Sequence, residues 1–236
     1  MAAVLITGAS RGIGAAAARR FASAGWDLLL LARTRSDLEA VADSLRSCDV
    51  QIEVIEADLN QAESIGPSID QLLSAGLTPS VVINNAGAAY TGSLAKMSLD
   101  HWQWLMQLNL TSVFQVCQAV LPTLRGIEGG LIINVSSHAA RKVFPDWGAY
   151  CTSKAALEAF SRCLAEEERS HGVRVCTLTL GSVDTPLWGA DTVHASFDTR
   201  AMLSADQAAE ALLFLAQQPS SQVVEDLTLM PATGAQ

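Results

Sequence analysis

Basic residues are scarce in this sequence of 236 residues, where 15 lysines and arginines stand against 24 aspartates and glutamates. The formal net charge of −9 argues against a nucleic-acid partner, because proteins grip phosphate backbones through clustered lysine and arginine side chains. Cysteine is also uncommon: the 5 cysteines are an odd number and form no C-x-x-C pair. This usage favours reduced thiols over a disulfide framework, and we therefore expect a cytoplasmic protein.

Long apolar runs, targeting signals and metal-ligand clusters are missing as well. No apolar run approaches the ~20 residues that a membrane-spanning helix needs, and the first residues carry no basic region of the kind that opens a secretion signal. The 4 histidines show no metal-ligand spacing. Since no repeat or Pro/Gly-rich linker divides the chain, we expect residues 1–236 to form a single domain, with no membrane partner and no metal.

What the sequence does contain is a regular alternation of short apolar runs and longer segments of helical period. Runs that are apolar at consecutive positions are typical of strands covered on both faces, as in a parallel sheet. The alternation therefore predicts an α/β protein with a doubly wound Rossmann fold, a seven-stranded parallel sheet and helices on both faces. The predicted strands are 4–7, 28–32, 52–55, 81–84, 131–136, 173–178 and 227–230, and the predicted helices are 13–24, 35–46, 60–75, 99–124, 149–170 and 205–217.

A glycine-rich turn lies between the first predicted strand and the first predicted helix, with the spacing G-x-x-x-G-x-G. Glycine lets the backbone approach a pyrophosphate, whose charge is met by the N–H groups and the dipole of the helix that follows. The absence of a Gly-Lys-Ser/Thr ending disfavours a P-loop nucleotidase. The turn therefore predicts a dinucleotide site, with candidate contacts from Gly8, Ser10, Arg11, Gly12, Ile13 and Gly14.

The second predicted strand ends in Ala32-Arg33-Thr34-Arg35, without the acid that binds the ribose hydroxyls of NAD. A guanidinium can pair bidentately with a 2′-phosphate instead, and Arg11 can approach the same phosphate from the glycine turn. The sequence thus favours NADP(H) over NAD(H), which remains possible. A solvated loop after the strand is the alternative for Arg33 and, more seriously, for Arg35.

Tyr150 and Lys154 are four residues apart at the start of a predicted helix, so their side chains share one face. A nearby ammonium favours the phenolate, which can then exchange a proton with a substrate oxygen. The fifth predicted strand ends in Ser136-Ser137, whose hydroxyls are positioned to hydrogen-bond that oxygen. These residues predict proton transfer beside a bound dinucleotide.

The motifs, taken in order, resemble the short-chain dehydrogenase/reductase family, in particular its 3-oxoacyl reductase-like members. They are the glycine turn, Asn-Asn-Ala-Gly at 84–87, the serine and Tyr-x-x-x-Lys. The family's catalytic serine lies thirteen residues before the tyrosine, which selects Ser137. The resemblance implies that Ser137 polarises the substrate oxygen, that Tyr150 is the general acid or base, and that Lys154 lowers the pKa of Tyr150 and binds the nicotinamide ribose. It also implies that Asn109 holds a water of the proton relay.

The resemblance implies further cofactor contacts along the strand ends. Residues that match the family's adenine, ribose and nicotinamide contacts are Asp58 and Leu59, then Asn85, Ala86 and Gly87, then Val183 and Thr185. The chain departs from the family at Leu180-Gly181, where a Pro-Gly pair is common. Losing that proline removes a fixed φ but no ligand.

We therefore predict an NADP-dependent carbonyl reductase that transfers a hydride between NADPH and a carbonyl or secondary-alcohol substrate. The segment 181–203 is expected to be a loop over the substrate. A largely apolar pocket is predicted from Ala139, Val143, Phe144, Trp147, Trp188 and Phe197. The resemblance also implies self-association, as a homotetramer or else a dimer.

Three other functions stay open. A dinucleotide-sensing protein without turnover would normally have lost one of the three catalytic side chains. A 3-oxoacyl reductase that uses an acidic carrier protein is disfavoured because segments 125–130 and 165–171 are poor in basic residues. A methyltransferase would need an acid after the second strand and has no use for the serine, tyrosine and lysine.

Overall fold

The computed structural model describes residues 2–195 and 198–234. Its main sheet has seven strands, all parallel to their neighbours, in the order β3-β2-β1-β4-β5-β6-β9. The predicted seven-stranded parallel sheet is therefore confirmed. The strands are β1 (Ala3–Thr7), β2 (Asp27–Ala32), β3 (Ile52–Glu56), β4 (Val81–Asn84), β5 (Leu131–Ser137), β6 (Arg174–Leu180) and β9 (Asp226–Leu229).

Helices cover both faces of this sheet, as predicted. Consecutive strand residues alternate between two cores: Val4 and Ile6 pack on one face, and Leu5 packs on the other. Helices α1, α2 and α7 contribute to the first core, and helices α3, α5 and α6 contribute to the second. The helices are α1 (Gly12–Ser23), α2 (Arg35–Ser44), α3 (Ala62–Leu73), α4 (Leu99–Met106), α5 (Ser112–Arg125), α6 (Gly148–Glu168) and α7 (Ala205–Ala216).

The prediction of one helix over 99–124 needs correction. A π-helical turn, Gln107–Thr111, separates α4 from α5. Its central residue, Asn109, is fully buried and exchanges two hydrogen bonds of 2.9 Å with the backbone of Ala88. A π turn accommodates one extra residue in a helix, and such turns are frequent at functional sites. Here it accompanies the inward placement of a polar side chain.

The segment 181–203 also has more structure than a plain loop. Its two ends pair as short parallel strands, β7 (Val183–Asp184) and β8 (Leu203–Ser204). Between them lie two short 3₁₀ turns, Pro186–Gly189 and Thr199–Ala201. Phe197, one of the predicted pocket residues, lies outside the described residues.

The sheet order determines where a ligand can bind. From β1 the chain proceeds to β2 and β3 on one side, and it then returns to place β4 and β5 on the other side. Ligands of open α/β sheets bind outside the carboxyl ends of the strands at such a reversal. In the part of the chain that the structure describes, no helix is long and apolar enough to cross a membrane. That residues 1–236 form a single domain stays a prediction.

Candidate active site

A cleft of about 680 Å³ opens at the carboxyl ends of β1, β4 and β5. Most of the predicted site residues line it, although they come from separate parts of the chain. Gly14 and Asn109 do not line the cleft but support residues that do. The predicted residues that line the cleft are Gly8, Ser10, Arg11, Gly12, Ile13, Arg33, Asp58, Leu59, Asn85, Ala86, Gly87, Ser137, Tyr150, Lys154, Val183 and Thr185.

The glycine turn has the geometry that its sequence predicts. Gly8 has a φ of +67°, a conformation that side-chain-bearing residues rarely adopt. A Cβ on Gly14 would collide with the carbonyl oxygen of Gly8 and would stand 2.7 Å from Nδ2 of Asn85. The helix α1 can therefore approach the turn only because position 14 is glycine. This close approach directs the first N–H groups of α1 toward the cleft, where they can meet a pyrophosphate.

Thr7 connects this turn to the Asn-Asn-Ala-Gly segment, a role that the sequence analysis did not assign. Its Oγ1 accepts hydrogen bonds of 3.1 Å from the backbone N–H groups of Asn85 and Ala86. Asn85 in turn donates from Nδ2 to the carbonyl oxygen of Thr7 at 3.0 Å. The two cofactor-facing turns are thus held together by reciprocal bonds between neighbouring strand ends. The signal in the sequence was the threonine directly before Gly8.

The two arginines after β2 have different surroundings. Arg33 is exposed and lines the cleft, whereas Arg35 does not line it and forms an ion pair of 2.7 Å with Glu39 on the outer surface of α2. The surface alternative considered for Arg35 is therefore the one that the structure supports. Thr34 and Asp37 also line this end of the cleft, and neither was predicted from the sequence.

Ser137, Tyr150 and Lys154 lie together deeper in the cleft, at the end of β5 and on the first turns of α6. The Ser137 side chain favours the ionised form of the Tyr150 phenol, and its Oγ accepts a bond of 3.2 Å from the N–H of Ala139. Lys154 is buried, and its Nζ donates a bond of 2.9 Å to the carbonyl oxygen of Val135. Ser137 is thus the serine that acts on the Tyr150 phenol, whereas Oγ of Ser136 is directed to Glu158.

Burial shifts the pKa values of both titratable groups. It raises the pKa of the Tyr150 phenol, and the hydrogen bond from Ser137 opposes that rise. Burial also lowers the pKa of the Lys154 ammonium from 10.5 to about 8. The neighbouring ammonium was expected to lower the pKa of Tyr150, but in this structure the removal of the phenol from water raises it. Tyr150 is accordingly protonated at neutral pH and can donate a proton.

Asn109 supports the site from behind. Besides its two bonds to Ala88, its Nδ2 donates to Oγ of Ser153 at 3.0 Å, and Ser153 donates to the carbonyl oxygen of Tyr150 at 2.8 Å. The amide therefore connects the segment after Gly87 to the first turn of α6. The water-holding role implied for Asn109 stays a prediction.

A polar network beside the serine was not foreseen from the sequence. Arg141, which follows the turn after Ser137, donates to Glu158 on α6 at 3.2 Å and also pairs with Asp226 on β9. The same Glu158 accepts a bond of 3.1 Å from Thr179 of β6. Glu158 and Asp226 lie 17 and 85 residues from Arg141, so no local pattern in the sequence could indicate these pairs.

The remaining wall is largely aromatic. Phe144, Trp147 and Trp188 line it together with Ala139, in agreement with the expected apolar pocket. Val143 does not line the cleft and is 77% exposed, because its position in the turn before α6 directs it outward. Within residues 2–195 and 198–234, no group of three or more His, Cys, Asp or Glu side chains could hold a metal ion.

Three comparisons bear on the chain as a whole. The family model described as short chain dehydrogenase matches residues 2–194. An uncharacterised oxidoreductase of Mycobacterium tuberculosis is 38% identical over 212 residues, a match that covers 87% of this chain and 61% of that protein. This chain therefore spans less than two thirds of that relative's length.

Two other proteins match over almost their whole length. Sulfoacetaldehyde reductase 2 of Chromohalobacter salexigens is 34% identical over 242 residues, which cover 98% of this chain and 95% of that protein. The solved structure of an alcohol dehydrogenase from the archaeon Thermococcus sibiricus, complexed with 5-hydroxy-NADP, is 31% identical with a TM-score of 0.92. That match covers 100% of this chain and 99% of the archaeal one. With the family model, the shared fold and the cleft in agreement, the chain belongs to the short-chain dehydrogenase/reductase family.

Proposed function

We propose that this protein reduces carbonyl compounds with NADPH and that Tyr150 donates the proton. The observation that carries the proposal is the grouping of Ser137, Tyr150 and Lys154 in one cleft with the glycine turn. A bound nicotinamide supplies the hydride in such a reaction. The chain's own residues must then hold the carbonyl oxygen, deliver a proton to it and keep both steps in one place.

The three side chains can divide that work. The Ser137 hydroxyl, which lines the same cleft as Tyr150, would hold the carbonyl oxygen within reach of the phenol. Tyr150 is protonated because burial raises its pKa, so it is prepared for the reductive direction, in which the oxygen gains a proton. Lys154 supplies a positive charge that stabilises the phenolate left behind. In the oxidative direction the same groups would act in reverse, with Tyr150 as the base.

The dinucleotide end of the cleft fits a cofactor with an additional phosphate. Ala32 stands at the end of β2, and the guanidinium groups of Arg33 and Arg11 line the cleft there. These residues would hold the 2′-phosphate of NADPH, whereas NADH offers them ribose hydroxyls alone. The archaeal alcohol dehydrogenase complexed with 5-hydroxy-NADP supports the same preference. Binding of NADH with lower affinity is consistent with this arrangement.

Sensing without turnover and carrier-protein reduction are the alternatives. The first is disfavoured because Ser137, Tyr150 and Lys154 are all present and lie together. The second would call for basic residues around the cleft, and among the described lining residues the cations are Arg11, Arg33 and Lys154. All three are already assigned to the cofactor or the reaction.

We also propose a homotetramer, or else a dimer, in the cytoplasm. Phe114 on α5 is 47% exposed and packs edge-on against Phe160 of α6, with ring centroids 6.3 Å apart. Phe214 on α7 is 50% exposed. Covering these two separate apolar positions with copies of the chain would require two different contacts, as a tetramer provides. Light scattering of the purified protein tests the assembly directly.

A screen of ketones and aldehydes with both cofactors tests the activity. We expect NADPH oxidation with at least one carbonyl class, and the Tyr150→Phe variant should lose about 10²-fold or more in kcat while it still binds NADPH. Tyr90→Phe is the matched control, since the only other tyrosine of the chain does not line the cleft. Inactivity on every compound with both cofactors, or full activity of Tyr150→Phe, would refute the proposal.

A further inference from the structure

The wall of the cleft beyond Tyr150 is built from adjoining aromatic rings. The ring centroid of Trp147 lies 5.6 Å from that of Tyr150, with the planes at 70°, and 6.0 Å from that of Trp188, with the planes at 63°. All three residues line the cleft. Aromatic surface therefore begins at the ring that carries the reacting hydroxyl and continues outward through both indoles.

The position of Trp188 is held by the backbone. Its Nε1 donates a hydrogen bond of 2.7 Å to the carbonyl oxygen of Val183, and Val183 pairs with Leu203 across β7 and β8. Farther along the segment, Thr192 Oγ1 donates a bond of 2.7 Å to the carbonyl oxygen of Ala89. Because the indole N–H is already bonded, Trp188 offers the cleft apolar ring surface rather than a donor.

The charges nearby do not suit an anionic substrate. Among the described residues that line the cleft, the cations are Arg11, Arg33 and Lys154. The first two follow β1 and β2 at the dinucleotide end, and the ammonium of Lys154 is engaged by a backbone carbonyl. Asp191, three residues after Trp188, adds a carboxylate to the tryptophan side of the cleft. A sulfonate or carboxylate on the substrate would meet repulsion there and no fixed cation.

Other charged or titratable groups near the tryptophans do not change this balance. Lys142 lies over the ring of Phe144, with its Nζ 5.4 Å from the ring centroid, but Phe144 is the residue that lines the cleft. His138 lines the cleft beside Ser137, and its Nδ1 has no hydrogen-bond partner among the described residues. An imidazole in this place can accept or donate a hydrogen bond to a neutral substrate.

Building on the activity proposed above, we propose that Trp147 and Trp188 form a subsite for a flat aromatic group. The preferred substrates are then uncharged aryl ketones and aryl aldehydes, whose carbonyl oxygen lies at Ser137 and Tyr150. A flat ring gains edge-to-face or offset contacts with both indoles that a saturated ring of similar size does not gain. The product is the aryl alcohol: its new C–H bond takes the hydride of NADPH, its oxygen takes the proton of Tyr150, and NADP⁺ is released.

Three substrates assayed with NADPH test this subsite: acetophenone, cyclohexyl methyl ketone and sulfoacetaldehyde. We expect kcat/KM for acetophenone to exceed that for the cyclohexyl ketone by about tenfold, the size expected for two aromatic contacts, with sulfoacetaldehyde poorest. The ratio of kcat/KM for acetophenone to kcat/KM for the cyclohexyl ketone should fall toward one in Trp147→Leu and Trp188→Leu. It should persist in Trp188→Phe, which keeps a ring, and in the control Trp26→Phe, whose indole packs on Phe21 outside the cleft.

Three results would overturn the subsite while leaving the reductase activity established. They are equal rates with the two ketones, a preference for sulfoacetaldehyde, and an acetophenone-to-cyclohexyl-ketone ratio of kcat/KM that is unchanged in both leucine variants. If no carbonyl compound is reduced, the proposed activity fails, and binding decides on the subsite. The subsite is supported if acetophenone, in the presence of NADP⁺, quenches tryptophan fluorescence saturably and if this quenching is lost in both leucine variants. Absence of quenching would overturn the subsite.

Discussion

Arg141 reaches from the turn after Ser137 to Glu158, which lies eight residues beyond Tyr150 on α6, and donates a hydrogen bond of 3.2 Å to its carboxylate. The same guanidinium is bonded to Asp226 on the edge strand β9. It thereby joins the strand end that carries the serine to the helix that carries the tyrosine. We infer that Arg141 is a positioning residue that sets the separation of the two hydroxyls.

Replacing Arg141 by Met should lower kcat by about tenfold and destabilise the fold by about 2 kcal/mol, because the buried Glu158 loses its charged donor. The KM for NADPH should stay unchanged, since the cofactor contacts are elsewhere. Arg141→Lys should recover part of kcat, and Arg169→Met, which breaks an exposed ion pair with Glu166, is the control. A parallel fall in kcat and in cofactor affinity would indicate general damage to the fold and would contradict a positioning role.

Replacing Arg33 by Ala should weaken NADPH binding by ~1.5–3 kcal/mol more than NADH binding, because a charge-assisted hydrogen bond to the 2′-phosphate is lost. Fluorescence titration with both cofactors gives the two dissociation constants. Arg35→Ala is the matched control, since Arg35 pairs with Glu39 and does not line the cleft. An unchanged cofactor preference in Arg33→Ala would remove the basis for choosing NADPH.

Replacing Lys154 by Met should abolish turnover and stabilise the cofactor-free protein at neutral pH. Burial lowers the pKa of Lys154 to about 8, so keeping the ammonium charged in the folded state costs about 3 kcal/mol below that pH. The variant also loses the hydrogen bond to the carbonyl oxygen of Val135, which reduces its stability advantage by ~1 kcal/mol.

The pH dependence of the Lys154→Met effect follows from the sign of the shift. Between about pH 8 and 10.5 the folded protein binds fewer protons at this group than the unfolded chain does, so the native protein gains stability as pH rises. The advantage of the variant should therefore shrink across this window. Urea unfolding of both proteins at pH 7, 9 and 10.5 measures the difference. A constant difference would show that the lysine is not held under a desolvation penalty.

Replacing Gly14 by Ala should destabilise the glycine turn and abolish dinucleotide binding, because the added Cβ collides with Gly8 and crowds Asn85. Gly66→Ala is the opposite case. Gly66 lies inside α3 away from the cleft, and apart from its chain neighbours nothing lies within 4 Å of an added Cβ, so this variant should keep normal dinucleotide binding. Thermal melts with and without NADPH compare the two. Normal cofactor binding by Gly14→Ala would refute the tight-turn interpretation.

The strands and most helices were predictable because their signals are local. Consecutive apolar residues in β1, β2 and β5 reflect burial on both faces of the sheet, which a parallel arrangement requires. The cleft could be located for a related reason, because motifs at the ends of neighbouring parallel strands must meet at one edge. Ser137, Tyr150 and Lys154 accordingly lie together, while their chemical roles remain proposals.

Features that depend on distant partners could not be predicted. The π turn at Asn109 accompanies hydrogen bonds to Ala88, 21 residues earlier in the chain. The pairing of β7 with β8 involves two residues on each side, too few to produce a periodic pattern. The raised pKa of Tyr150 was missed because burial is a property of the folded chain, while the sequence indicated only the neighbouring ammonium.

The β7–β8 pair closes the segment 181–203 at its base, since Val183 and Leu203 are register partners. A segment whose two ends are paired with each other can change in length and composition without displacing β6 before it or α7 after it. Ser137, Tyr150 and Lys154 belong to a different, nearly contiguous stretch of the chain. Substrate selectivity can therefore change independently of proton transfer: grafting a relative's segment between Thr185 and Leu203 offers a route to new substrates while the cofactor contacts and the reacting side chains stay in place.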